Sequence, residues 1–370
     1  MIVHQILSGA GLHDAITTEA LMFRERFGAW GWGGGDFAAR IGAGIDGEIS
    51  PLTRLRAERE ALLLLHHSAG APGLTELLSL PNRKLLLYHN VTPAAWLWDH
   101  APLVAVHCAL GRAQLPELVR RVDLAAADSE FNAAELRARG ARRTEVVPLL
   151  VNRDRLGPVP AGMQGGDPTR TPTVLFVGRL SPHKRQEEVI RTFSLYRRWR
   201  APDARLLLVG DPLTVEYAEH LRLLADQLAP GAVSIESGLS DGELGDRYRA
   251  ADVFLCLSQH EGFCIPVLEA LHFGLPVIAR PVGAIPEVAG DAALLVEDRD
   301  PAVLAELLHL AVTDLPLRAE LRRRGRARLA LFAPELVAAR LRAAVEATAS
   351  PRTRSSSTDR DVRDVVDQAS

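Results

Sequence analysis

The stretch Ser258-Gln-His-Glu-Gly-Phe-Cys-Ile-Pro-Val-Leu-Glu-Ala-Leu-His-Phe-Gly-Leu-Pro-Val-Ile-Ala279 sets two carboxylates, Glu261 and Glu269, around the start of one helix. Before it, Val253-Phe-Leu-Cys-Leu257 is an apolar run with the length of a buried strand. After it, Gly274 and Pro276 stop the helix, and Pro276 to Ala279 has the pattern of the next strand. A strand, a turn with a carboxylate and a helix with a second one is how an α/β domain builds a ligand crevice at its strand ends.

Working outward, the same alternation fills the chain. Strands are expected at Ile2 to Leu7, Ala61 to Leu65, Lys84 to Tyr88, Asp123 to Ala127 and Thr144 to Val147, with helices between them. Ser129 is the expected cap of the helix opened by Asp128-Ser-Glu-Phe-Asn132. Trp30 to Gly35 is expected to be a mobile loop. Residues 158–172, rich in Pro and Gly, have the composition of a linker, after which the pattern restarts with Thr173 to Val177. We therefore expect an α/β chain of two Rossmann-like domains, the first spanning 1–157 and the second 173–333. A helix over 334–350 would return toward the first domain, and the Ser/Arg/Asp-rich residues 351–370 form a disordered tail.

The totals narrow the function. At 370 residues each domain can bury a full core. A net charge of −3 argues against a dedicated nucleic-acid binder. Cys108, Cys256 and Cys264 are few, odd in number and set in apolar contexts, which fits a reduced, cytoplasmic protein. The N-terminus lacks the cationic lead of a signal peptide, and no apolar run nears the ~20 residues that span a bilayer.

Gly178-Arg179 and Lys184 follow the first strand of the second domain, where a glycine admits a close ligand and the cations suit a diphosphate. Glu261 and Glu269, three strands on, add carboxylates that suit paired hydroxyls. Gly9 and Gly11 sit between the first strand and its helix, where backbone can approach a phosphate; a plain tight turn is the alternative. His66, His67 and His89 end two strands at the edge where ligands bind. They lack the spacing of a zinc set, and no Cys or paired carboxylate completes one, so we read them as polar groups of the crevice. For His66 and His67 simple hydrogen bonding at the sheet edge is the alternative. Asp298-Arg-Asp300 is the signature of metal-dependent glycosyl transfer on another fold, but Asp300 as helix cap and Pro301 as first helical residue explain it without a metal.

With these residues in view, the chain resembles the retaining glycosyltransferases of family 4, which have the two-domain GT-B fold. The second domain carries most of the match: Phe176-Val-Gly-Arg-Leu-Ser-Pro-His-Lys184, Leu206-Leu-Leu-Val-Gly210, Tyr248-Arg-Ala-Ala-Asp-Val-Phe254 and His260-Glu-Gly-Phe-Cys-Ile-Pro-Val-Leu-Glu-Ala270, the last holding the family's E-x7-E element. In the first domain, Tyr88-His-Asn-Val-Thr-Pro93 and Asp128-Ser-Glu-Phe-Asn132 are similar to bacterial members. The resemblance implies that Arg179 and Lys184 bind the donor diphosphate, that Glu261 contacts the transferred sugar and Glu269 the ribose, and that His89 sits near the reacting sugar. It also assigns Gly9, Gly11, Gly178, Gly262, Phe263, Cys264 and Ile265 to the donor site. It implies no cofactor and no metal. Two departures stand out: Pro148-Leu-Leu150 replaces the family's Pro-Asn-Gly, and the first loop has no adjacent Gly-Gly pair.

The activity so implied is transfer of a hexose from a nucleoside-diphosphate sugar, of the GDP-mannose or UDP-glucose type, to an acceptor hydroxyl on a sugar, lipid-linked carrier or natural product. The alternatives are a GT-B nucleotide-sugar epimerase and a non-catalytic sugar-nucleotide-binding subunit. Arg54, Arg56, Arg59 and the cluster Arg322 to Arg328 would allow peripheral membrane contact, with solvated helix faces the plainer explanation.

Overall fold

A computed structural model describes residues 1–12, 14–45, 47–159 and 171–350. Residues 160–170 of the expected linker and the whole expected tail, 351–370, lie outside the described residues.

The apolar runs become parallel strands because their side chains are covered on both faces. In the first domain these are β1 (Val3–Leu7), β2 (Asp36–Ala38), β3 (Ser50–Pro51), β4 (Leu62–His67), β5 (Arg83–Tyr88), β6 (Leu124–Ala127) and β7 (Thr144–Val146). They form one sheet in the order β3-β2-β1-β4-β5-β6-β7, parallel throughout. The helices α1 (Ala15–Ala29), α2 (Pro102–Arg121) and α3 (Glu130–Ala138) connect strands. Asp14 caps α1 by accepting from Thr17 N, and Ser129 caps α3 by accepting from Asn132 N.

The second sheet, in the order β10-β9-β8-β11-β12-β13, uses β8 (Thr173–Val177), β9 (Arg205–Val209), β10 (Val233–Glu236), β11 (Val253–Cys256), β12 (Val277–Ala279) and β13 (Ala293–Leu295). Helices α4 (Gln186–Trp199), α5 (Val215–Leu228), α6 (Asp241–Ala250), α7 (Ile265–His272), α8 (Ile285–Ala289), α9 (Pro301–Thr313) and α10 (Leu315–Ala330) surround it. Asp300 caps α9 through Ala302 N, and Pro301 is its first residue, so Asp298-Arg-Asp300 serves the helix start. The last helix, α11 (Pro334–Ala349), buries Val337, Leu341 and Val345 against Leu62, Leu64 and Leu85 of the first sheet.

One expectation needs correction. Trp30 to Gly35 is a packed connector: Val3 N donates to Gly33 O at 2.8 Å, Trp30 and Trp32 lie edge to face at 4.9 Å, and Arg342 of α11 covers both rings. It leads into β2 and β3, which add two short strands to the sheet edge. Leu149, Val151 and Leu156, near the end of the span 1–157, are buried in one cluster with Leu175, Tyr248 and Phe254. Among the described residues no helix is long and apolar enough to cross a membrane.

Candidate active site

The carboxyl ends of β8, β9 and β10 open on a cleft of about 400 Å³. Gly178, Arg179, Gly210 and Gly238 line it from the second domain, and Gly11 and Leu12 from the first. Gly210 has φ +148°, and a Cβ there would lie 2.1 Å from the Gly178 carbonyl oxygen, so the two strand-end loops can touch only if position 210 lacks a side chain. Arg179 is exposed at this cleft, and its guanidinium makes no hydrogen bond or ion pair among the described residues. Gly9 is not part of the lining; its nearest neighbour is the Arg40 side chain, 3.9 Å from a Cβ built there.

Lys184 ends a short turn after Gly178-Arg179, held by Lys184 N donating to Ser181 O at 2.9 Å. Its Nζ lies 2.6 Å from Glu261 Oε2, and neither side chain is more than one-fifth exposed. Burial disfavours the ammonium, but the Glu261 carboxylate outweighs it and holds Lys184 above its ordinary value. The Glu261 backbone is pinned in turn: Ala284 N donates to Glu261 O at 3.2 Å, and Gly283 takes φ +58° where a Cβ would lie 2.0 Å from that oxygen. The pair lies beyond the residues that line the cleft.

Glu269 is buried on α7, and both its oxygens are engaged. Arg155 Nη2 donates to Oε1 at 2.5 Å and Tyr248 OH to Oε2 at 2.7 Å. Arg155, which also pairs with Asp241, comes from the segment that leads out of the first domain, 114 positions away in sequence. Of the other expected donor contacts, Phe263 is buried edge to face on Phe332 at 5.8 Å. Cys264 is buried with φ +77° at the head of α7, and Ile265 begins the helix, packed on the same core.

The histidines occupy the first domain's interior. His67 Nε2 donates to Gly111 O at 3.0 Å, and burial holds the ring's pKa down at about 4. His66 bridges Gln5 and His89 at 3.0 Å on each side, so both have structural places and neither reaches the cleft. The His89 ring is enclosed, stacked on His66 at 5.2 Å, with Nδ1 3.6 Å from Asp128 and Nε2 3.7 Å from Glu19. Burial opposes its charge, yet Asp128 and Glu19 together hold it above the ordinary histidine value, while burial pushes Glu19 up to about 7. Glu19 also accepts from Leu150 N at 3.1 Å, in the Pro148-Leu-Leu150 segment that departs from the family pattern.

His89 meets the second domain through its backbone. Gly262 packs there so closely that a Cβ would lie 2.8 Å from His89 O and 2.9 Å from Asn90 Cβ. Ser129 Oγ and Asn132 Nδ2 both donate to Gly262 O at 3.1 Å, and His260 Nε2 donates to Asn90 Oδ1 at 3.0 Å. Beside this seam the Glu287 carboxylate of α8 accepts from Glu130 N at 2.7 Å and Phe131 N at 3.2 Å, so the second domain supplies an anion to the N-terminus of α3. Glu287→Ala is expected to weaken domain closure by about 1 kcal/mol, the size of one helix cap. That is about fivefold in the closed population, read as a larger radius of gyration in solution scattering. An unchanged radius would show that the contact does not govern closure.

The comparisons bear on this geometry. Residues 164–328 match the family model of the glycosyl transferases of group 1. Over 167 residues, 42% of this chain and 42% of the relative, the sequence is 35% identical to the alpha-maltose-1-phosphate synthase of Mycobacterium tuberculosis. The chain thus spans less than half the length of the curated relatives it matches. The whole fold is similar to the sucrose-phosphate synthase of Thermosynechococcus elongatus, with TM-score 0.72 at 20% identity over 93% of this chain and 98% of that one. It is also similar to HepE of Anabaena, solved with UDP and glucose, with TM-score 0.68 at 15% identity over 93% and 99%. The fold is GT-B, two Rossmann-like domains with a cleft between them.

Arg155, Glu287, Gly283 and Glu19 escaped the sequence. Gly283 follows an expected strand, a signal of a tight turn. For the other three the sequence carries no local signal, because each acts on a partner more than a hundred positions away.

Proposed function

We propose that the chain is a metal-independent retaining glycosyltransferase that moves a hexose from a nucleoside-diphosphate sugar to an acceptor hydroxyl. The observation that carries this is the Lys184–Glu261 pair, 2.6 Å apart at the strand edge that also carries Gly178 and Arg179. It sets a cation for a leaving diphosphate beside an acceptor for sugar hydroxyls. The match of residues 164–328 to group 1 glycosyl transferases supports it, as does the similarity in fold to HepE, which was solved with UDP and glucose.

In this reading Arg179 and Lys184 stabilise negative charge as the diphosphate departs, in a site whose closed seam limits water. Glu261 accepts from hydroxyls of the transferred sugar. Glu269 accepts from the ribose with the lone pairs left over from Arg155 and Tyr248, since each carboxylate oxygen has two. The donor phosphate takes the acceptor proton. Membrane contact is not part of the proposal: in the Arg322 to Arg328 cluster, Arg323 and Arg324 pair with Glu320 at 2.7 Å, and Arg328 donates to Val288 O at 3.0 Å.

Nucleotide release measured on a panel of UDP- and GDP-sugars tests this. Slow release without acceptor, faster with one, and equal rates in excess EDTA are expected. Release of free nucleotide with an altered sugar would make the protein an epimerase. Binding without any release would make it a non-catalytic subunit, and loss of activity in EDTA would overturn the metal-independent mechanism.

A further inference from the structure

Two buried thiols sit directly behind Glu261, and the mechanism above uses neither sulfur. Cys256 ends β11, and Cys264 stands at the head of α7. The two Sγ atoms and a Glu261 carboxylate oxygen all lie within 4.8 Å of one another, with all three residues buried. Cys256 Sγ is 4.0 Å from Glu261 Oε1 and 3.3 Å from Ser258 Oγ. Lys184 occupies the other carboxylate oxygen, Oε2. Cys264 has φ +77°, a conformation that glycine adopts freely and that costs a side chain of this kind free energy. A thiol is therefore held at this point against the backbone's preference.

We propose that Cys256, Cys264 and Glu261 form a binding site for one thiophilic divalent cation of the zinc class, and that filling it inhibits the donor site. A tetrahedral ion with bonds of about 2.0–2.3 Å spaces its ligands about 3.3–3.8 Å apart, so the three atoms need to close by only about 1 Å. Binding releases the two thiol protons to solvent. Two thiolates and Glu261 then carry three negative charges, balanced by the divalent ion and the Lys184 ammonium, so the buried cluster stays neutral. Ser258 Oγ lies beside the Cys256 sulfur as an outer hydrogen-bond partner. Bonding to the ion draws the Glu261 carboxylate toward the two sulfurs and neutralises its charge, so it accepts from a sugar hydroxyl more weakly and from a displaced position. The inhibitory half of the proposal rests on the donor role given to Glu261 above; the binding half does not.

The test is a titration of the reduced, metal-stripped full chain with Zn²⁺ against a chromophoric chelator, repeated with Cd²⁺ to record the thiolate-to-metal charge-transfer band. One ion per chain is expected, with the band present. Affinity should fall at least tenfold in Cys256→Ser and in Cys264→Gly, while Cys108→Ser, a cysteine in the first-domain core, keeps it. The glycine variant suits the local backbone, so it keeps the test valid if Cys256→Ser fails to fold. Absence of saturable binding, or binding indifferent to both substitutions, would overturn the site. In parallel, Zn²⁺ should suppress nucleotide release and EDTA should restore it. If ion binding is found but no sugar nucleotide is ever turned over, the proposed function fails and the site stands; undiminished turnover by the zinc-loaded protein would overturn the inhibition.

Discussion

Lys184→Ala is expected to lower turnover by about 10²–10³, the cost of deleting one preorganised group that stabilises charge in a transition state. The expected loss is in kcat, because the charge on the departing diphosphate grows only as the bond breaks. The variant also strands the Glu261 carboxylate, whose side chain is only 7% exposed, without its 2.6 Å partner. Breaking a buried pair in this way costs on the order of 3–5 kcal/mol, so lost stability must be separated from lost catalysis. The double variant Lys184→Met/Glu261→Gln does so, since it removes both charges together. It should regain much of the thermal stability and none of the activity. Near-wild-type transfer by folded Lys184→Ala would remove the cation from the mechanism.

Gly262→Ala should cost about 10²-fold in turnover, the scale of an ångström-sized misplacement of reacting groups, while each domain keeps its own core. The added methyl would lie 2.8 Å from the His89 carbonyl oxygen and 2.9 Å from Asn90 Cβ, directly after the end of β5, where His89 N donating to His67 O at 3.1 Å holds the backbone in place. The seam must therefore open. Opening stretches the bonds from Ser129 and Asn132 to Gly262 O and carries Glu261, one residue back, away from the first domain. Helical content by circular dichroism should be unchanged and the radius of gyration larger. Unaltered scattering with full activity would show that the seam yields without consequence.

The two variants probe one loop in different ways. Glu261 faces Lys184 within the second domain, whereas Gly262 faces His89 across the cleft. A loop that contacts both sides is a natural point at which donor binding and closure are coupled. Glu287 at the N-terminus of α3 adds a second, independent tie, which is why its expected effect is about tenfold smaller or more.

Much of the architecture could be read locally. The apolar runs that become β1, β4, β5, β8, β9 and β11 need only their own hydrophobicity and flanking turns to be recognised, and Ser129 and Asp300 announce their helices through side chains that bond two or three residues ahead. The E-x7-E spacing of Glu261 and Glu269 was legible for the same reason, being one turn and one helix start. By contrast β2 and β3, three and two residues long, are too short to carry a period and exist through pairing with β1 and each other. The partners of the carboxylates were beyond the sequence as well. Lys184 meets Glu261 across 77 positions and Arg155 meets Glu269 across 114, contacts set by how strands order themselves in the sheet and where the chain crosses between domains. The sequence by itself determined which chemistry is available: cations after one strand, two acids around one helix, thiols beside them. Tertiary structure alone decided which charge neutralises which, which histidines are sealed inside, and that the glycine after Glu261 forms the seam, because burial and long-range pairing arise from packing that no local period encodes.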